Sequence, residues 1–242
     1  MIKVDHLSKT FGHRRVLQSL ELSVGRGEIV ALIGMNGAGK TTLVRTLATL
    51  SRPDAGSVHI NGVSTTRDPI TVRRNIGVVL HAPMLYPNLT CKENLHFYSR
   101  LYALDAVEKR ISALLAAVDL ESRTGDRVST FSRGMQQRLS IARAMLHDPQ
   151  CLLLDEVFTG LDQGSSALLD DLLKQKAKEG NAILFTTHDI ERIFNLASRV
   201  DILHRGKIIF SIPVKSINPQ QLSDLYQEFT SESANAPLRG AI

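Results

Sequence analysis

The stretch GMNGAGKTT, Gly34–Thr42, leaves few folds open to this chain. It fits G-x-x-x-x-G-K-[ST], with the apolar run GEIVALIG (Gly27–Gly34) before it and a segment, Thr41 to Leu50, carrying Leu43, Leu47 and Leu50 on one helical face after it. An unbroken apolar run ending in glycine reads as a parallel strand buried on both faces. Glycines let the loop curl until its N–H groups face inward, so strand, loop and helix together make a phosphate cradle. The expected contacts are Gly34, Asn36, Gly37, Ala38, Gly39, Lys40, Thr41 and Thr42. Lys40 would reach the β and γ phosphates, and the Thr41 hydroxyl would hold Mg²⁺.

Two further apolar runs end in polar residues, CLLLDE (Cys151–Glu156) and AILFTTHD (Ala182–Asp189). Ligands in open α/β sheets bind at such strand ends. Asp155 is therefore a second Mg²⁺ candidate, and Glu156, beside it but turned differently, could polarise the water attacking a γ-phosphate. His188 on its own reads as a structural histidine; at the same sheet edge as Lys40 and Asp155 it becomes a donor to the γ-phosphate or the water. Phe11, by spacing alone, reads as a core residue of a hairpin.

The first segment alternates as a strand through Ile2, Val4 and His6, and Val200–Ile212 reads as a hairpin around Gly206. From about 88 to 147 the texture is helical, with Val107, Ile111, Leu114, Leu115 and Val118 on one stripe. The expected organisation is a domain over residues 1–212 with a helical subdomain at about 88–147. An extension over 213–242 follows, expected to be partly disordered, weakening after Asn218 and fraying at SESANAPLRGAI.

A second phosphate-type site is written into STFSRGMQQR (Ser129–Arg138). Met135, Leu139, Ala142 and Met145 share a stripe, so a helix begins near Ser132, opening on Ser-x-Gly with bare N–H groups where its dipole is positive.

Composition narrows the partners. No apolar run approaches the roughly 20 residues that cross a bilayer, and the N-terminus lacks a signal-peptide core, which points to a soluble, cytoplasmic chain. Cys91 and Cys151 read as unpaired thiols of a reducing compartment. The net charge of +5 is scattered, in short runs such as His13–Arg15 and Arg73–Arg74 without interleaved aromatics, so no nucleic-acid partner is expected.

The P-loop, FSRGMQQR, LLLDE, TGLD (Thr159–Asp162) and TTHD form an ordered set that resembles the ATP-binding subunits of ABC transporters, over about Ile2 to Ile212. The resemblance implies an α/β P-loop NTPase core with an N-terminal antiparallel β portion and a helical subdomain insertion. It implies an ATPase that pairs head to tail with a second subunit, as a homodimer or with a different ATPase. Ser132, Gly134 and Gln136 would then face the partner's nucleotide, Asp162 would lie across the interface, and Phe11 would stack on adenine. It further implies a membrane permease that the helical subdomain docks, placing the chain peripherally on the cytoplasmic face of the inner (plasma) membrane. His81–Tyr102, Phe131–Pro149 and Thr186–Lys207 look most like the haem-exporter ATPase of cytochrome c maturation (CcmA type), which implies haem-handling and haem-chaperone partners. ATPases of drug, lipid or polysaccharide exporters share the R-G-M-Q signature and are the alternative. A non-transport ABC ATPase is the more distant one, since this single cassette has no CxxC pair; a module that holds ATP without turning it over is another.

The chain departs from the family at IGVVLHAPMLY (Ile76–Tyr86), which has no glutamine. Ala82 holds the glutamine's place in the haem-exporter register, and His81 in the generic one. Met35 and Val157 stand where Pro or Ser, and Pro, are usual; small effects are expected.

Overall fold

A computed structural model describes residues 1–234. Ten strands run in chain order: β1 (Ile2–Phe11), β2 (Arg14–Val24), β3 (Ile29–Ile33), β4 (Ala55–Ile60), β5 (Val63–Ser64), β6 (Ile76–Val79), β7 (Cys151–Asp155), β8 (Ala182–Thr186), β9 (Arg199–His204) and β10 (Lys207–Pro213). The helices are α1 (Lys40–Leu47), α2 (Pro69–Asn75), α3 (Cys91–Leu101), α4 (Glu108–Ala117), α5 (Arg133–Met145), α6 (Gln163–Lys178), α7 (Ile190–Leu196) and α8 (Pro219–Ala234). An antiparallel sheet ordered β2-β1-β4-β5 lies over a six-stranded sheet ordered β10-β9-β3-β8-β7-β6. In the larger sheet β6, β7, β8, β3 and β9 are mutually parallel.

The central strands are apolar throughout because each separates two cores. Val30, Leu32, Leu153 and Leu184 pack toward the antiparallel sheet, whereas Ala31, Ile33, Leu154 and Phe185 pack toward the helical side. Period-two alternation between two buried faces leaves no polar position, as parallel strands covered on both sides require. Since β3, β8 and β7 are neighbours, the loops leaving them open at one edge of the sheet.

Three expectations change. The alternation through His6 breaks there: its φ of 49° and a register shift leave His6 exposed and turn Leu7 inward. Leu50 is not on the buried stripe of α1, because the helix ends at Leu47 and Thr49, with φ 60°, redirects the chain. Between Pro213 and Ala234 the chain keeps its structure: α8 buries Leu222 and packs Leu225 and Tyr226 on the helical-side core. Residues 231–234 of the stretch expected to fray continue α8, and 235–242 lie outside the described residues.

Both cysteines are free and buried, and burial pushes their thiols up, to about 12 for Cys91 and about 11 for Cys151, so neither is a nucleophile near neutral pH. No helix among the described residues is long and apolar enough to cross a membrane.

Candidate functional site

The loop between β3 and α1 is shaped by what a side chain would strike. A Cβ at Gly34 would stand 2.3 Å from the Leu203 carbonyl oxygen, and one at Gly39, whose φ is 115°, 2.8 Å from Leu17 Cδ2. The loop is thus clamped between β9 and β2. Gly34→Ala is expected to lower stability by about 2 kcal/mol or more, the usual cost of forcing a group into a packed site. A thermal unfolding midpoint equal to wild type would show that the loop yields instead.

Lys40, the first residue of α1, is 6% exposed and donates to the carbonyls of Gly34 at 2.6 Å and Met35 at 3.3 Å. Desolvation holds its ammonium below the usual lysine range, partly offset by the negative charges of Glu156 and Asp155. A buried cation tethered only to neutral carbonyls is set to exchange them for an anion.

A cleft beside it is lined by Arg14, Val16, Met35, Asn36, Gly37, Gly39, Lys40, Thr41, Thr42 and Glu156. Most expected phosphate contacts therefore meet, and Glu156 joins them from β7. Gly34 and Ala38 sit buried beneath the loop. Arg14, not singled out from sequence, enters from the β1–β2 turn and approaches the Gly37 carbonyl at 3.5 Å. Phe11, at the same turn, is 54% exposed with the Lys9 ammonium 5.3 Å from its ring centre, so it is not the core residue that spacing alone suggested.

Asp155 and Glu156 are separated by Thr186 of β8. The Thr186 hydroxyl donates to Asp155 Oδ1 at 2.7 Å and accepts from the Glu156 backbone N–H at 2.8 Å. Glu156 has a φ of 52°, in the left-handed region a non-glycine residue enters only when held there, and this turns it away from its neighbour. Its Oε1 lies 2.9 Å from His188 Nε2, so the loops after β7 and β8 meet at a carboxylate–imidazole pair.

Around the start of α5, Ser132 caps the helix, its hydroxyl accepting from the Met135 N–H at 3.2 Å, and Asp162 caps α6, accepting from Ser165 N–H at 2.7 Å. That bond holds the exposed Asp162 carboxyl below its usual range. Gly134 faces the loop before α6, where an added Cβ would stand 3.3 Å from the Gly160 carbonyl. Ser132, Gly134 and Asp162 are not among the residues lining the P-loop cleft. The Gln136 amide donates to the Phe131 carbonyl at 3.2 Å and borders a separate hollow with His81, Pro83, Arg133, Gln137, Glu156 and Thr159. His81 lines this hollow next to Glu156 and Ala82 does not.

No three His, Cys, Asp or Glu residues cluster as a metal cage among the described residues. One carboxylate and one hydroxyl, completed by phosphate oxygens and water, is the donor set that suits Mg²⁺.

Comparison with known proteins agrees in kind. The ABC transporter family profile matches residues 17–159. The ABC transporter ATP-binding protein NatA of Bacillus subtilis (strain 168) is 34% identical over 231 residues, spanning 93% of this chain and 94% of that one. The Nod factor export ATP-binding protein I of Rhizobium etli is 39% identical over 210 residues, 86% of this chain and 66% of its own length. A dimeric ATP-binding cassette solved in a post-hydrolysis state with ADP and Pi superposes with a TM-score of 0.80 at 27% identity, over 88% of this chain and 99% of that one.

Proposed function

This chain belongs to the ABC transporter family as an ATP-binding subunit and ATPase, and on that premise we propose that it drives a membrane permease of exporter type by closing and reopening a dimer around ATP. The observation that carries the reading is the 2.9 Å contact of Glu156 with His188 beside Lys40 and the P-loop. The loop N–H groups and Lys40 bind the phosphates, and Phe11 and Arg14 border the nucleotide's far end. Glu156 accepts a proton from the attacking water, and His188 holds its carboxylate and offers a donor toward the γ-phosphate. Thr41 and Asp155 would hold Mg²⁺, which when bound neutralises charge on the phosphate oxygens. Ser132, Gly134 and Gln136, with Asp162, serve the nucleotide of a second subunit, whether a copy of this chain or another ATPase. ATP then favours the closed pair, and hydrolysis removes the phosphate that bridges it.

The permease partner and a peripheral position at the cytoplasmic membrane face follow from the same family reading. A relative named for Nod factor export supports an exporter. The finer reading of haem export, with haem-handling and haem-chaperone partners, rests on the sequence resemblance alone; the relatives described above give it no support. Capturing tagged Glu156→Gln with ATP from solubilised membranes tests both levels. A copurifying permease is expected, and absence of any membrane protein would overturn the transport reading. Haem absorbance in that sample would support the finer cargo, and its absence would remove it.

Ala82 leaves the loop after β6 without a polar side chain at that position. Ala82→Gln is expected to raise ATP turnover about fivefold, the worth of one added hydrogen bond. An unchanged rate in a phosphate-release assay would mean that His81, which lines the same hollow as Glu156, does this work.

A further inference from the structure

One guanidinium ties its own helix to two other segments, and all three follow directly on a residue of the proposed site. Arg192 lies in the first turn of α7, the helix that follows His188. Its Nη1 lies 2.5 Å from Oδ2 of Asp170, on α6, the helix that Asp162 caps. Its guanidinium carbon stands 4.5 Å from the ring centre of Phe158, in the loop that leaves Glu156. Phe158 in turn meets Phe185 of β8 edge-on, with ring centres 6.0 Å apart.

Stability alone is a poor account of this arrangement. Asp170 is 7% exposed, and a buried ion pair repays its desolvation only when every polar atom is satisfied. Here Asp170 Oδ1 and Arg192 Nε have no hydrogen-bond partner among the described residues, the Asp189 carboxylate standing 3.9 Å from Nε, beyond hydrogen-bond reach. Burial raises the Asp170 carboxyl pKa against the pull of Arg192. An apolar pair of similar size would fill the space at little or no cost. What an apolar pair could not do is grip both a carboxylate on α6 and an aromatic face in the intervening loop, which the planar guanidinium does.

We propose that Arg192 is a positioning residue for hydrolysis: with Asp170 and Phe158 it holds the loop from Val157 to Leu161 and the start of α7 in the one arrangement that keeps Glu156 on His188. The inference rests on Glu156 being the base. Arg192 is not among the residues lining the P-loop cleft, and it shares a neighbouring cleft with Glu156 and His188, so the effect is expected on turnover and not on nucleotide binding.

The test is the double variant Asp170→Leu/Arg192→Met, which removes both charges while keeping the volume, measured beside Arg192→Lys and Glu156→Gln. For the double variant kcat is expected to fall at least about tenfold, since small misplacements of catalytic groups cost up to about a hundredfold. KM for ATP and the thermal midpoint are expected to stay near wild type. Arg192→Lys, which keeps charge but not the planar stack, is expected to recover only part of kcat. An unchanged kcat overturns the proposal, as does a loss of kcat matched by a higher KM or a lower thermal midpoint. Glu156→Gln separates the two failures. Wild-type turnover there overturns the base assignment and this inference with it, whereas an inactive Glu156→Gln beside a fully active double variant overturns only the role of Arg192.

Discussion

Glu156→Gln is expected to bind ATP as wild type does and to hydrolyse it about 10²–10⁴ times more slowly, the usual contribution of a positioned general base. Glutamine keeps the size of the side chain and an oxygen that can still accept from His188 Nε2, now 2.9 Å from Oε1. The backbone bond from the residue 156 N–H to the Thr186 hydroxyl is untouched, so the left-handed turn persists. Only the proton acceptor is lost. With hydrolysis blocked, the γ-phosphate stays at the interface and a closed dimer should accumulate with ATP but not with ADP. Phosphate release and size-exclusion chromatography with each nucleotide read both effects; turnover near wild type would remove Glu156 from the base role.

Lys40→Met carries the second large effect, with an opposite split between binding and stability. Lys40 is desolvated, its tethers are neutral carbonyls at 2.6 and 3.3 Å, and the charges of Glu156 and Asp155 offset only part of the desolvation, so without nucleotide its charge is a net cost. Methionine fills much of the same space without that cost, so the thermal midpoint of the free protein is expected to change little. Affinity for ATP is expected to fall about 10–150-fold, the worth of a charge-assisted hydrogen bond of about 1.5–3 kcal/mol. In wild type, ATP at a hundred times its Kd should stabilise the fold by about 2.7 kcal/mol, and the variant should lose roughly half to nine-tenths of that gain at the same concentration. Thermal midpoints with and without ATP measure both halves, and an undiminished ATP-induced shift would take Lys40 out of phosphate binding.

How far such roles could be read in advance depended on their range along the chain. The P-loop was complete within nine residues, because its geometry is set by local backbone freedom at glycine and one helix N-terminus. The α5 stripe of Met135, Leu139, Ala142 and Met145 and the cap at Ser132 also lie within one helix, and both stand in the structure as the pattern implied. The β4–β5 pair was missed: AGSVHI is short and half exposed, and its pairing with β1 is long-range. Phe11 misled because a hydrophobic residue at a strand end carries no mark of which face it takes, and the β1–β2 turn leaves it in solvent.

By itself, then, the sequence determined the phosphate loop, the apolar strands that must be buried on both faces, and the order of motifs that marks an ABC ATPase. Each of these motifs is a short-range pattern whose physical cause acts within a turn or a strand, and only their order spans the chain. Only the tertiary structure decided that Glu156 rests on His188, that Thr186 stands between Asp155 and Glu156, and that Arg192 joins Asp170 to Phe158. Those contacts exist because β3, β8 and β7 are neighbours in one parallel sheet, and strand order is a property of packing that no local spacing encodes.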